Sequence, residues 1–187
     1  MGSESGYNPK NAEKHLVTKM KWLFWAIVNE TLFYYSPFFC YGWRRFLLRC
    51  FGAKIARSAT IGRKVTINSP WNLHVGESTT ICNHAWLMCS ATVTIGDCTI
   101  IGEHVKILAG SHESNSMTFK GIGSSISIGN RCWIASSALL ASGSRRLKIG
   151  DGAIVGAGSV VYLSVKSMVI VAGNPAKVIG ERQFNQD

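Results

Sequence analysis

Residues 93–107 read VTIGDCTIIGEHVKI, in which Ile95, Ile101 and Ile107 follow one another at intervals of six residues. The same spacing recurs on both sides of this stretch, so that fifteen Ile, Leu or Val anchors form five groups of three. Self-similarity at a fixed period is the signature of a repeat architecture, in which each unit buries its apolar face against its neighbours. The other anchors are Ile55, Ile61, Ile67, Val75, Ile81, Leu87, Ile128, Ile134, Leu140, Ile149, Val155 and Val161.

The residue after each anchor is usually small, as at Gly96, Gly102 and Gly129. Small side chains are favoured where a chain turns a corner against a neighbouring backbone. Three corners per group close a triangular coil. The pattern therefore predicts an all-β solenoid, a parallel β-helix of about five coils over residues 55–166, with a C-terminal strand and basic tail over residues 167–187.

The N-terminal 54 residues lack the repeat and are predicted to form an α-helical extension. A helix is expected over residues 13–33, Ser36-Pro37 interrupts it, and a second short helix over residues 43–51 ends at Gly52. The apolar run from Trp22 to Val28 is far shorter than the roughly 20 residues of a membrane span. The extension either covers the open first coil or lays an aromatic and basic surface on lipid, and both roles are compatible.

Composition is that of a compact domain: 187 residues, 47% hydrophobic, with a net charge of +10. The six cysteines show neither a disulfide framework nor metal-ligand spacing, and no signal peptide is apparent, which indicates a reducing cytoplasm. Basic residues are scattered and no nucleic-acid motif is present, so nucleic acid is not expected as a partner. An anionic small molecule fits the charge better.

Several segments resemble the left-handed β-helix acyltransferases built from hexapeptide repeats, and more closely the O-acetyltransferases of colanic-acid and related exopolysaccharide biosynthesis. The resemblance covers roughly residues 43–180. It is carried by Trp43 to Arg49, Phe51 to Ile55, Pro70 to Leu73, Gly110-Ser111-His112 and Ala172 to Ile179. It implies an acetyl-CoA co-substrate, no metal, and a homotrimer in which a neighbouring subunit completes each site.

His112 is the expected catalytic residue. It ends the third coil and directly precedes an irregular excursion, residues 113–125, and excursions from rigid scaffolds often carry function. The resemblance implies that this histidine is the general base that deprotonates an acceptor hydroxyl. Imidazole suits that role because its unperturbed pKa of about 6.5 leaves much of it neutral near pH 7.

The resemblance also suggests residues that bind the sugar acceptor. Glu113 follows the expected base, and Asn83 lies one position from where related enzymes place an acceptor-binding asparagine, with His84 and Trp86 beside it. An exposed loop carboxylate with no role is an equally good interpretation of Glu113.

Coenzyme A contacts are implied at Trp133, at the small corner residues Ser136 and Ala157, and at the basic Lys177. One segment departs from the family, because Leu163 stands where its members carry a CoA-binding lysine. Either Lys166 or Arg182 compensates for this lysine, or CoA binding is weaker, or the donor is different; of the two cations, Lys166 is assigned to the cofactor site.

The predicted function is therefore acetyl-CoA-dependent O-acetylation of a sugar hydroxyl in a polysaccharide precursor or other glycan. The enzyme is expected in the cytoplasm, with peripheral contact at the inner face of the membrane. The alternative is a non-catalytic trimeric scaffold or glycan-binding protein with a decayed CoA site. A zinc carbonic anhydrase of the same fold is disfavoured because the five histidines offer no pair at the required spacing of five.

Overall fold

The computed structural model describes residues 9–183, and for residues 9–17 only the backbone. Helix α1 spans Pro9–Val28 and continues into a π-helical turn, Asn29–Phe33, while helix α2 spans Tyr41–Cys50. Both predicted helices are thus present, with α1 beginning four residues earlier than expected. None of the helices in this part of the chain has the length and apolar character needed to cross a membrane. A 3₁₀ turn, Pro70–Asn72, lies inside the repeat region.

Beyond α2 the chain forms a parallel solenoid with three faces. Face A contains β1 (Lys54–Ile55), β4 (Leu73–Val75), β7 (Val93–Ile95), β12 (Ile126–Ile128) and β15 (Leu147–Ile149). Face B contains β2 (Thr60–Ile61), β5 (Thr80–Ile81), β8 (Ile100–Ile101), β13 (Trp133–Ile134), β16 (Ile154–Val155), β18 (Val169–Gly173) and β19 (Ala176–Glu181). Face C contains β3 (Thr66–Ile67), β6 (Trp86–Met88), β9 (Lys106–Leu108), β14 (Leu139–Ala141) and β17 (Val160–Val161).

The solenoid has five complete coils and a partial sixth turn, which confirms the predicted fold class. Val165 bridges Ile149 on face A, and β18 continues face B beside β16. The predicted C-terminal strand is an antiparallel hairpin of β18 and β19. The last part of the predicted basic tail, residues 184–187, lies outside the described residues, as do residues 1–8 of the extension.

The register of the coils places the anchors above one another in the core. On face A, for example, Ile55 pairs with Val75, Val75 with Ile95, Ile95 with Ile128 and Ile128 with Ile149. All fifteen anchors are buried, because a strand whose inward position recurs at each coil directs the same side chain to the axis every time.

The N-terminal helices cover the otherwise unpaired strand edge of the first coil, and each face has its own donor. On face A, Nε of Arg49 donates to the carbonyl of Ile55 at 2.8 Å. On face B, Nε of Arg44 donates to the carbonyl of Ile61, and on face C the indole N–H of Trp25 donates to the carbonyl of Ile67, both at 2.6 Å. The extension therefore satisfies backbone acceptors that the solenoid would leave open at its end.

Candidate active site

The predicted base His112 lies at the edge between faces C and A, where the chain leaves the solenoid after β9. Ser111–His112 forms strand β10, which pairs antiparallel with β11, Gly121–Ile122. The predicted loop excursion is therefore a hairpin whose strands begin just before residue 113. The strand pairing in this hairpin fixes the position of His112, which lies opposite Gly121.

Two glycines and a buried serine fix where the hairpin leaves and rejoins the coil. A Cβ on Gly110 would lie 2.7 Å from Oγ of Ser90, so no larger residue fits there without movement of the coil below. On the return side, a Cβ on Gly123 would lie 3.2 Å from Cβ of Ala91. Ser142 ties the ends together, because its hydroxyl donates to the carbonyls of Ser124 and Leu108. Sequence reasoning did not identify Ser142.

The imidazole of His112 is oriented by a backbone carbonyl. Its Nδ1 lies 2.7 Å from the carbonyl oxygen of Phe119. Since a carbonyl oxygen can only accept a hydrogen bond, Nδ1 carries the proton in the neutral ring and Nε2 carries the lone pair. The side chain is exposed, so Nε2 is open to a substrate proton.

Phe119 adopts an unusual backbone conformation. Its φ of 47° lies in the left-handed region, which bulky residues rarely occupy. Hydrogen bonds within the hairpin support this turn: the amide of Glu113 donates to the carbonyl of Lys120 at 2.9 Å, and the amide of Phe119 donates to the carbonyl of Ser116 at 3.0 Å. The loop thus holds a main-chain acceptor against the histidine, a contact that residue types alone do not encode.

An open cleft of about 370 Å³ lies in front of His112. Face C supplies Met88, and the neighbouring corner supplies Ser90. The remaining walls are hairpin residues, including Ser111, Gly121, Ile122 and Gly123. Glu113 is exposed beside this cleft. The hydrogen-bond partner of the His112 imidazole is the carbonyl of Phe119 and not this carboxylate.

The other predicted acceptor residues lie at a different edge of the same chain. Asn83 and His84 occupy the turn between faces B and C. Asn83 is engaged at both ends of its amide, since Oδ1 accepts from the amide of Arg63 at 2.8 Å and Nδ2 donates to Oε1 of Glu103 at 3.1 Å. His84 stacks on His104 with ring centroids 4.9 Å apart. Trp86 is exposed on face C.

Three predicted CoA residues also belong to face B or to the edge between faces B and C. Trp133 points outward from face B in register with Ile100 below and Ile154 above. Ser136 and Ala157 are exposed on the edge that carries Asn83, two and three turns beyond it, and Glu103 occupies the turn between Asn83 and Ser136. Within one chain, face C separates this edge from His112. The structure therefore brings Asn83, Ser136 and Ala157 into one column but does not bring them to the histidine.

Lys166 and Lys177 are exposed at the far end of the solenoid. A cleft of about 550 Å³ there is lined by Leu163 and Lys166, together with residues of the C-terminal hairpin. Nη1 of Arg182 donates to the carbonyls of Arg131 and Gly152, at 2.6 and 3.2 Å. Of the two cations considered for the missing lysine, Lys166 is thus the one that lines this cleft.

Metal-ligating side chains do not gather anywhere in residues 9–183: this part of the chain holds no group of three or more His, Cys, Asp or Glu positioned around a metal ion. Two cysteines are buried, and burial raises the pKa of the Cys89 thiol to about 12. That thiol is a packing group in the core.

Comparison with known proteins agrees with the fold. No family model matches the chain. Over 160 residues it is 40% identical to WcaF of Escherichia coli (strain K12), which is named as a colanic acid biosynthesis acetyltransferase, and the match covers 86% of each protein.

Two solved structures share the architecture. A galactoside acetyltransferase in complex with coenzyme A is 26% identical with a TM-score of 0.78, over 87% of this chain and 81% of that one. A maltose O-acetyltransferase from Clostridium difficile 630 is 22% identical with a TM-score of 0.81, over 90% and 89% of the two chains, and shows the fold alone.

A three-faced solenoid interrupted by a histidine-bearing hairpin is typical of one class of acyltransferases. The relatives then identify the family within this class. The chain belongs to the hexapeptide-repeat acetyltransferase family, within which it is similar to WcaF. The resemblance seen in the sequence is thereby confirmed.

Proposed function

We propose that this enzyme transfers an acetyl group from acetyl-CoA to a hydroxyl of a sugar, in a polysaccharide precursor or another glycan, with His112 as the general base. The observation that carries the proposal is the 2.7 Å contact from Nδ1 of His112 to a main-chain carbonyl, which leaves the Nε2 lone pair free on an exposed imidazole that lines an open cleft. The name of WcaF supports a glycan acceptor, and the galactoside acetyltransferase complex supports a CoA donor.

The mechanism is direct transfer in a ternary complex. Nε2 of His112 takes the proton from the acceptor hydroxyl while the hydroxyl oxygen attacks the thioester carbonyl carbon. The tetrahedral intermediate then collapses, the carbon–sulfur bond breaks, and the imidazolium returns the proton to the leaving thiolate. A positioned general base typically contributes about 10²–10⁴ in rate. Neither a metal nor a covalent enzyme intermediate takes part in these steps.

A homotrimer would unite the two halves of the site. His112 lies at the edge between faces C and A, whereas Ser136 and Ala157 lie at the edge between faces B and C. Three copies around an axis parallel to the solenoid would set the first edge of one subunit beside the second edge of its neighbour. The outer surface of face B offers an apolar column for such an interface, namely Ile100, Trp133, Ile154 and Ile170, of which Ile100 and Trp133 are about half exposed.

For the cellular site we propose the cytoplasm at the inner face of the membrane. Acetyl-CoA is a cytoplasmic metabolite, and the six free cysteines suit a reducing compartment.

The test is release of CoA thiol from acetyl-CoA over a panel of mono- and oligosaccharide acceptors. Acceptor-dependent release is expected from the wild-type enzyme, with a loss of about 10²–10⁴ in His112→Ala. His74→Ala is the matched control, because His74 is a half-buried histidine on face A, away from the cleft.

Calorimetry with acetyl-CoA distinguishes the proposed enzyme from the alternative, a non-catalytic scaffold. Absence of both release and acetyl-CoA binding would favour the non-catalytic scaffold, for which the Leu163 departure is the motivating feature. Unchanged release in His112→Ala would reject this histidine as the base.

A further inference from the structure

Helix α1 is apolar on two opposite sides. One side packs on the first coil through Trp25, which is 1% exposed, and Trp25 also contacts Phe33 and Phe51 in an aromatic cluster with ring centroids 5.6 and 5.0 Å apart. At 100° per residue, Leu23 and Ile27 lie on the reverse side of the helix. They are 63% and 55% exposed.

Met20 and Phe24 complete this outward side at the spacing i, i+3, i+4 and i+7 that marks one face of a helix. We call Met20, Leu23, Phe24 and Ile27 the outer stripe. A surface helix of a globular protein ordinarily places charged and polar residues on this side. Here the solenoid uses one apolar side of α1, and the second side has no partner within the described residues.

The outer stripe belongs to a larger apolar surface on the N-terminal extension. Twelve of the twenty-one large hydrophobic side chains that are exposed in the described residues fall between residues 20 and 46. The turn after α1 adds Leu32 and Tyr35, and helix α2 adds Trp43; these three residues line a shallow apolar groove. Trp43 donates its indole N–H to the carbonyl of Leu32 at 3.1 Å, so the polar atom of this ring is satisfied while 41% of the residue stays exposed. Tryptophan and tyrosine are the residues enriched where protein meets the polar boundary of a bilayer.

The charge of the same region is positive. Between residues 18 and 54 the chain carries six Lys or Arg and a single acid, Glu30. Three of these cations are engaged in hydrogen bonds at the end of the solenoid, since Arg44, Arg45 and Arg49 donate to carbonyls of the first coil. Lys19, which precedes the outer stripe, and Lys54 are exposed. An apolar helix side that begins beside Lys19, in a segment with six cations and one acid, complements a surface that is apolar beneath and negatively charged outside.

We propose that the outer stripe docks on the surface of a bilayer that contains anionic phospholipid. Helix α1 then lies in the boundary layer between headgroups and acyl chains, with the outer stripe turned to lipid and Trp25 turned to the first coil. The solenoid stands end-on, and His112 in the third coil is held on the order of 10–15 Å above the first coil, from two to three strand spacings of about 4.8 Å. Three copies in a trimer of parallel solenoids would present three stripes to the same plane. The docking surface does not depend on the acetyl-transfer activity.

The test is co-sedimentation of the full chain with vesicles of phosphatidylcholine alone or of phosphatidylcholine with 30% phosphatidylglycerol, a composition chosen to supply about one anionic lipid in three. Wild-type protein is expected to bind the anionic vesicles and to lose most of this binding in 0.5 M salt, where screening is strong. Leu23→Ser/Ile27→Ser is expected to lower the partition coefficient by about tenfold or more, because two of the four apolar side chains of the outer stripe are lost.

Val178→Ser/Ile179→Ser is the matched control. It removes two aliphatic side chains of similar exposure, both 67%, from the C-terminal hairpin at the opposite end of the solenoid. Its vesicle binding should equal that of wild type. Both pairs are exposed, so both double variants should keep the circular dichroism spectrum and melting temperature of the wild type. Lys19→Gln is an independent and milder variant. It should weaken binding to anionic vesicles only.

Three results would overturn the proposal. Wild-type protein that stays in the supernatant with anionic vesicles rejects lipid as the occupant. Equal losses in the two double variants reject the outer stripe as the docking surface. A smaller assembly of Leu23→Ser/Ile27→Ser in light scattering, with no lipid binding by wild type, assigns the stripe to contact between copies of the chain.

Discussion

At the scale of single residues, the proposed function rests on a contact between a side chain and the main chain. The carbonyl that orients His112 belongs to Phe119, whose φ is 47°. The phenyl ring itself is 65% exposed. The backbone conformation at Phe119, rather than its ring, should therefore determine the orientation and tautomer of the His112 imidazole.

Two substitutions at Phe119 separate the ring from the backbone. Phe119→Gly keeps the carbonyl and accommodates a positive φ, so acetyl transfer should stay within about tenfold of wild type. Phe119→Pro fixes φ near −65° and removes the N–H that donates to Ser116, so a loss approaching that of His112→Ala is expected. Steady-state kcat and KM of both variants check this. Equal activity of the two would show that the carbonyl does not position the base.

Glu77 is a second residue whose environment has a measurable consequence. Its carboxylate accepts hydrogen bonds from the hydroxyl and amide of Ser58 in the coil below, and these bonds lower its pKa. A carboxyl group with a lowered folded-state pKa adds stability above its unfolded pKa of about 4.3. This stability is lost as the pH falls through the lower folded-state pKa.

Glu77→Gln should therefore be less stable than wild type at pH 6–7, and the difference should shrink below about pH 4 as the wild-type carboxyl becomes protonated. Urea midpoints measured for both proteins from pH 7 to pH 3 test the sign. A difference that grows toward low pH would contradict the assignment.

At the scale of elements, each corner of the solenoid depends on close approach between successive turns. A Cβ on Gly102 would lie 2.7 Å from the backbone amide nitrogen of Ser136 in the coil above. Gly42, in helix α2, has only the end of Arg45 near its added Cβ, at 3.9 Å. The two glycines thus provide a matched pair.

Gly102→Ala should destabilise the protein by about 1–3 kcal/mol, because the coil above must move away. Gly42→Ala should be neutral or slightly stabilising, since alanine is the better helix former. Chemical denaturation of the two variants checks the contrast, and a neutral Gly102→Ala would mean that the corner is looser than the structure indicates.

Arg44 of helix α2 is fully buried and joins the helix both to the first coil and to the segment that connects the two helices. Its guanidinium donates to the carbonyls of Ile61, Pro37 and Phe38 and to the hydroxyl of Ser36. Burial lowers the pKa of this group, the main cause being desolvation of its charge. The hydrogen bonds are what make a charged group tolerable at this position.

Arg44→Met should cost about 2–4 kcal/mol of unfolding free energy, because several buried acceptors lose their donor. Arg45→Met is the control: Arg45 makes a single 2.8 Å bond to the carbonyl of Ala59 at a partly buried site, and about 1 kcal/mol or less is expected. Comparable losses in the two variants would indicate that Arg44 does not anchor the helix.

At the scale of the whole molecule, the separation of His112 from the column of Ser136 and Ala157 predicts complementation between subunits. His112→Ala removes the base, and Ala157→Trp fills the other half of the proposed site. Each variant alone should be inactive. Mixed trimers, made by refolding equal amounts of the two variants together, should recover about a quarter of wild-type activity. In about one interface in four, the intact His112 of an Ala157→Trp chain meets the intact Ala157 of a His112→Ala chain.

Light scattering of the wild type should give three times the 20.4 kDa chain mass. A monomeric mass, or mixed protein without recovered activity, would contradict a site shared between subunits.

The sequence alone determined the solenoid, because an aliphatic anchor every six residues can be buried only if the chain turns three corners per coil, and every coil repeats the same demand. It also predicted the position of the proposed site, since Gly110-Ser111-His112 ends a coil where the repeat stops. Tertiary structure decided what spacing does not encode. The carbonyl of Phe119 reaches His112 only through hairpin pairing, and Arg44, Arg49 and Trp25 meet three different strands only after the helices fold under the first coil. These contacts join positions 6–42 residues apart, where geometry and not local propensity selects the partner.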